Sequence, residues 1–185
     1  GDIYVKEAII PEGASVIPKS QFFECRSLEK VYLPESVSGI EDYAFADCHV
    51  LKVWESIEKL SLKSVGISAF ENCYALEFVS LPDSLTVIGG AAFAECVSVN
   101  KLIFSDTSLL KKIGDHAFRG CRNLKEVYLP DSVEYVGVSA FRDCSSLEQI
   151  SVSEKIKNQP GIAELEKNCP NARIRFREVN SVEKE

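Results

Sequence analysis

The chain has 185 residues, 45% of them hydrophobic and 26% charged, with 21 Lys and Arg against 28 Asp and Glu. That apolar content belongs to a folded chain, and no run approaches the roughly 20 apolar residues of a membrane span. The net charge of −7 repels phosphate backbones, so nucleic acid is excluded as an expected partner. The chain starts Gly1-Asp2 and contains no Met, which reads as a mature chain or an excised fragment.

In chain order, an apolar triplet first occurs at Val5/Ala8/Ile10, just before Pro11. It recurs at Leu28/Val31/Leu33, degenerates at Leu51/Trp54/Ser56, and returns at Leu76/Val79/Leu81. Further copies are Val99/Leu102/Phe104, Leu124/Val127/Leu129 and Leu147/Ile150/Val152. Between them six cysteines fall at 25, 48, 73, 96, 121 and 144, with gaps of 23, 25, 23, 25 and 23 residues. Each has a Phe three residues earlier: Phe22, Phe45, Phe70, Phe93, Phe118 and Phe141. Two residue types locked together in this way mark an internal repeat. Short gaps contain Pro34, Pro82 or Pro130, which end a strand abruptly. The long gaps lack Pro over 55–62 and 105–112 and predict a wider turn. Cys169 lies 25 residues after Cys144 but has Glu166 where the Phe should stand.

The phrase Leu81-Pro82-Asp83-Ser84-Leu85, then Ile88-Gly89, Ala92-Phe93 and Cys96, resembles the BspA-like (treponemal-type) class of leucine-rich repeats. The resemblance spans about residues 5–152; Pro18 and Glu41 stand where its Gly should be, and Phe23 follows Phe22. It implies an α/β repeat fold, a right-handed solenoid with parallel concave strands and short helical or 3-10 turns on the convex side. It also implies a bacterial or protozoal protein, extracellular or on the cell surface, that adheres to host or matrix components.

Physical reasoning leads to a similar shape. Alternate residues of each triplet share one strand face, and strands this short fold only by stacking on the next coil. The Ala-Phe-x-x-Cys stretch predicts one helical or 3-10 turn on the opposite wall. Gly66, Gly89, Gly114 and Gly137 mark a backbone position that disfavours a Cβ. About eight strands give a ridge of roughly 35 Å, curved with the strands inside. Residues 1–177 form one solenoid, with repeats over 5–152 and a C-terminal cap over 153–177. In that cap Ile162 and Leu165 predict a short helix ending before Pro170, followed by a strand in which Ala172, Ile174 and Phe176 alternate with Arg173, Arg175 and Arg177. Arginines there hinder edge pairing. Residues 178–185 are expected to be a flexible tail, and Val5 to Ile10 a bare edge strand unless preceding sequence was cut away.

Chemistry is sparse. No Cys-x-x-Cys spacing occurs, and one thiol per coil spreads ligands along a line, so no metal and no cofactor are expected. The thiols read as small buried hydrophobes. His49 and His116 sit in no nucleophile–base arrangement and read as outward-facing positions. An enzyme is disfavoured. Trp54 replaces an inward Val or Leu.

The outward strand positions form two columns. One runs Ile9, Tyr32, Glu55, Ser80, Ile103, Tyr128 and Ser151; the other runs Glu7, Lys30, Val53, Phe78, Lys101, Glu126 and Gln149. Ile9, Tyr32, Val53, Phe78, Ile103 and Tyr128 form a diagonal apolar stripe, flanked by Lys30, Glu55, Lys101 and Glu126. Such a stripe predicts non-catalytic recognition of a protein or peptide. The competing reading is a structural spacer or stalk segment with no ligand of its own, since open strands favour aromatic and β-branched residues anyway.

Overall fold

A computed structural model describes residues 4–55 and 60–178, with the backbone alone over 53–55. The apolar triplets build the strand wall: β1 (Glu7–Ile9), β3 (Lys30–Tyr32), β5 (Val53–Glu55), β7 (Phe78–Ser80), β9 (Lys101–Ile103), β11 (Glu126–Tyr128), β13 (Gln149–Ser153) and β14 (Arg173–Arg177). In the repeats with described side chains, the middle residue points inward: Ala8, Val31, Val79, Leu102, Val127 and Ile150 are all buried. Every pairing between these strands is parallel. Among the described residues the wall divides into a three-stranded sheet, β1-β3-β5, and a five-stranded sheet from β7 to β14. The division follows the degenerate repeat, where Ser56 stands in place of the third apolar residue.

A second wall comes from the Ser-Val-x-x-Ile-Gly stretches. It contains β2 (Val16–Ile17), β4 (Gly39–Ile40), β6 (Ser64–Val65), β8 (Val87–Ile88), β10 (Lys112–Ile113) and β12 (Tyr135–Val136), in one parallel six-stranded sheet. Ile17, Ile40, Val65, Ile88, Ile113 and Val136 face the core from it. The result is a parallel-strand solenoid with few helices and one continuous core.

The third wall differs from the expected helical turn. Around each Phe the chain makes successive hydrogen-bonded turns, as in Ala44 N–H to Glu41 and Cys48 N–H to Phe45. Residues two before and two after each Phe have positive φ: Tyr43 at 59° and Asp47 at 61°, Ala91 at 52° and Glu95 at 58°. Gly120, at φ 75°, is the one glycine in this series. A positive φ at the third turn position is the signature of a type II turn. The physical reason lies in the amides. The N–H groups of Tyr43, Phe45 and Asp47 donate to Ile67, Ala69 and Glu71 of the next coil at 2.8–2.9 Å. An α-helical turn would spend those donors within its own coil.

The glycine column is steric in origin. A Cβ on Gly89 would lie 2.6 Å from the Gly66 carbonyl carbon, and one on Gly114 2.6 Å from the Gly90 nitrogen. Gly161 extends the column: a Cβ there would meet the Gly137 oxygen at 2.0 Å. So residues 161–177 follow the path of one more coil. Leu165, four residues after Gly161, is buried as Phe93, Phe118 and Phe141 are, and β14 pairs in register with β13. Two short helices, α1 (Pro160–Ala163) and α2 (Leu165–Asn168), replace the tandem turns here. At the other end β1 pairs only with β3 among the described residues. A wide turn without Pro is clipped by side chains: Ser105 and Thr107 donate their hydroxyls to the two carboxylate oxygens of Asp83. These bonds hold the Asp83 carboxyl below its ordinary value.

Candidate functional site

The Phe–Cys rungs were the most conspicuous chemistry in the sequence, and they are structural. Neighbouring Phe rings stack nearly parallel from Phe22 to Phe141, with centroids 5.1–5.5 Å apart. Beside them the thiols do more than fill space. From Cys48 onward each Sγ–H donates to the Phe carbonyl of the preceding coil: Cys48 to Phe22 at 3.1 Å, Cys73 to Phe45 at 3.3 Å, Cys96 to Phe70 at 3.1 Å. Cys121, Cys144 and Cys169 continue the series onto Phe93, Phe118 and Phe141. The same carbonyl also accepts the backbone N–H of its own coil's Cys, so both lone pairs are used. Cys169 needs no Phe of its own, because its acceptor belongs to the coil before it.

All seven thiols are free and buried. Burial pushes the Cys48 thiol up to about 12 and the Cys169 thiol up to about 11. It raises Cys73, Cys96, Cys121 and Cys144 well above the ordinary thiol range. A nucleophilic or metal-binding cysteine requires the thiolate. Among the described residues no group of three or more His, Cys, Asp or Glu converges on a point.

The two histidines are only partly exposed. His49 stacks on Tyr74 with centroids 4.7 Å apart and places Nε2 3.4 Å from Asp47. His116 occupies one of the positive-φ positions, and its Nδ1 is buried without a hydrogen-bond partner among the described residues.

The strand face is the remaining extended surface. Pairing aligns Glu7, Lys30 and Val53 in one column and Ile9, Tyr32 and Glu55 in the other. Beyond the division, Phe78 pairs with Lys101 and Ser80 with Ile103; Glu126 aligns with Lys101 and Gln149, and Tyr128 with Ser151. Ile9 is 78% exposed, Phe78 41%, Ile103 37% and Tyr128 51%, while Tyr32 is half-buried. The side chains of Val53, Trp54 and Glu55 lie outside the described residues. The described part of the stripe is Ile9 with Tyr32 on one sheet and Phe78 with Ile103 and Tyr128 on the other.

Lys101, Glu126 and Tyr128 come together around a shallow depression of about 430 Å³, with Glu148 and Gln149 on its far side. At the other end Glu29 bridges Lys6 at 3.5 Å and Lys52 at 3.4 Å. The Lys52 hydrogen bond, then the charges of Lys52 and Lys6, hold the Glu29 carboxyl below its ordinary value. One contributor was missed. Arg177 reaches back over two coils, placing its guanidinium carbon 3.7 Å from the Tyr128 ring centroid. It donates to Leu129 O and Asp131 Oδ1 at 2.7 Å each, and to Ser151 Oγ at 2.9 Å. Its alternation with Arg173 and Arg175 was visible, but nothing in that pattern distinguished it from its two neighbours.

No curated protein matches the chain. Three solved structures resemble it. A leucine-rich repeat protein from Bacteroides ovatus is 22% identical with a TM-score of 0.63, covering 96% of this chain and 62% of that one. The pneumococcal vaccine antigen PcpA is 26% identical with a TM-score of 0.64, covering 81% of this chain and 41% of that one. A leucine rich repeat protein from T. pallidum is 24% identical with a TM-score of 0.58, covering 95% of this chain and 74% of that one. The chain thus spans less than two thirds of the first of these. A model of the BspA type leucine rich repeat region matches in six copies, over residues 2–107 and 63–163. The repeat read from the Phe–Cys rungs and the coils they form is that of this model, and the chain belongs to the BspA type leucine rich repeat family.

Proposed function

We propose that this chain is a right-handed, curved solenoid whose concave strand face recognises a protein or peptide without catalysis. The observation that carries the reading is the exposure of Phe78, Ile103 and Tyr128 on adjacent strands β7, β9 and β11. Exposed aromatic and branched side chains on a hydrogen-bonded sheet lose little entropy on binding, which is what an interface anchor needs. Lys101 and Glu126 flank them and supply a polar rim. The packing also disfavours thiol catalysis, because all seven cysteines are locked in the core as neutral thiols. The proposed setting is an extracellular or cell-surface protein that adheres to host or matrix components. Similarity to a pneumococcal vaccine antigen, at 26% identity, supports that setting.

The test is binding to a panel of purified extracellular-matrix proteins, with Phe78→Glu/Tyr128→Glu as the control. The reading predicts a matrix partner whose affinity falls at least tenfold in the double variant, while circular dichroism stays unchanged. Binding that survives the two charges overturns the assigned face. A chain that retains no partner across the panel supports the spacer instead.

A further inference from the structure

We propose that the free edge of β14 takes up an extended, acidic segment of a partner protein by strand addition. β14 pairs with β13 along all five residues from Arg173 to Arg177, and among the described residues no strand pairs with its other side. An edge of this length presents a row of unused N–H and C=O groups, the template on which a further strand forms.

The side chains specify what kind of strand. Arg173 and Arg175 project on one face, both exposed, and their neighbours in register are the neutral Gln149 and Ser151. Among the described residues neither arginine has a carboxylate partner. Arg177 does, through Asp131 at 2.7 Å, so the strand carries one neutralised and two unneutralised cations. In a chain of net charge −7 this is a local reversal of sign. On the opposite face Ile174 is half-buried and Phe176 is 46% exposed, leaving the last layer of the core incompletely covered.

A complementary strand therefore carries carboxylates two residues apart on one face and apolar residues on the other. Each carboxylate meets an arginine in the geometry that favours paired hydrogen bonds. The apolar residues cover Phe176 and Ile174. The same arginines repel a second copy of β14, so the edge selects a partner of opposite charge and does not pair with itself. Phe78 and Ile103 lie on other strands, β7 and β9, and β14 meets that group where Arg177 covers Tyr128.

The experiment measures fluorescence anisotropy of the full chain with labelled peptides of alternating Val and Glu, Val and Gln, or Val and Lys. The Glu peptide is expected to bind at least tenfold tighter than the Gln peptide, and the Lys peptide not at all. Arg173→Glu/Arg175→Glu is expected to invert the preference, so that the Lys peptide binds; that gain also shows that the variant is folded. Methylating alternate peptide nitrogens on the pairing side should abolish binding, as strand addition requires. Phe78→Glu, on β7, should leave it unchanged. Equal binding of the Glu and Gln peptides, a preference that survives the arginine substitutions, or tolerance of N-methylation would each overturn the proposal. Concentration-dependent dimerisation lost in the arginine variant would overturn it as well.

Discussion

Between pH 9 and 11 the protein is expected to lose stability steeply, at neutral pH's ordinary ionic strength and without reagents. The cause is the thiol ladder. An unfolded cysteine ionises near 8.5. In the fold, burial raises Cys48 to about 12 and lifts Cys73, Cys96, Cys121 and Cys144 well above the ordinary range. A raised folded value means that the folded state holds its protons longer than the unfolded state does. The ladder's contribution is then whole below about pH 8.5 and is lost as pH climbs toward the folded values. Each thiol adds about 1.4 kcal/mol per pH unit to that loss, so several together exceed the typical stability of a small domain within two units. Urea midpoints measured at half-unit steps from pH 7 to 11 check this. Replacing Cys73, Cys96 and Cys121 with Ala should flatten the alkaline limb, even though it lowers stability at pH 7. An alkaline limb with the same slope in the triple variant would assign the loss to other groups.

Phe93→Ala should cost about 3–5 kcal/mol, the range for deleting a fully buried aromatic side chain. The ring is sandwiched between Phe70 at 5.1 Å and Phe118 at 5.4 Å, so its loss leaves a void with two unpaired ring faces. Phe22→Ala should cost distinctly less. Phe22 is only half-buried and, among the described residues, stacks on Phe45 alone. A solenoid is close to one-dimensional, and each coil is stabilised by its two neighbours. The pair of variants, compared by chemical denaturation, separates an interior rung from a terminal one. Equal costs would mean that the rings do not form one continuous stack.

Much of this architecture was legible because two periods are written directly into the residues. The two-residue alternation of each triplet put Glu7, Lys30 and Val53 in one column and Ile9, Tyr32 and Glu55 in the other, and the strand pairing has that register. The 23- and 25-residue spacing located every Phe stack. The turn wall was not legible, because its defining feature is the sign of φ at Tyr43, Ala91 and His116, residue types that do not advertise it. The thiol bonds escaped for a related reason: each acceptor is a backbone carbonyl 26 or 28 residues away. In the last coil one extra residue separates Leu165 from Cys169, so counting back from Cys169 reached Glu166 and missed the buried Leu165. Tyr128 was correctly placed outside the core, but its Arg177 cover depends on a strand that returns to pair with β13.

The most direct check is a count of reactive thiols by intact mass. Native protein at pH 7 is treated with iodoacetamide, and a second sample is treated in denaturant. If the cysteines line the interior of a single stacked spiral, the folded chain gains no carbamidomethyl group over hours while the unfolded chain gains seven, one for each buried cysteine. Two or more additions to the folded chain, with its circular dichroism intact, would place thiols at the surface and contradict the ladder.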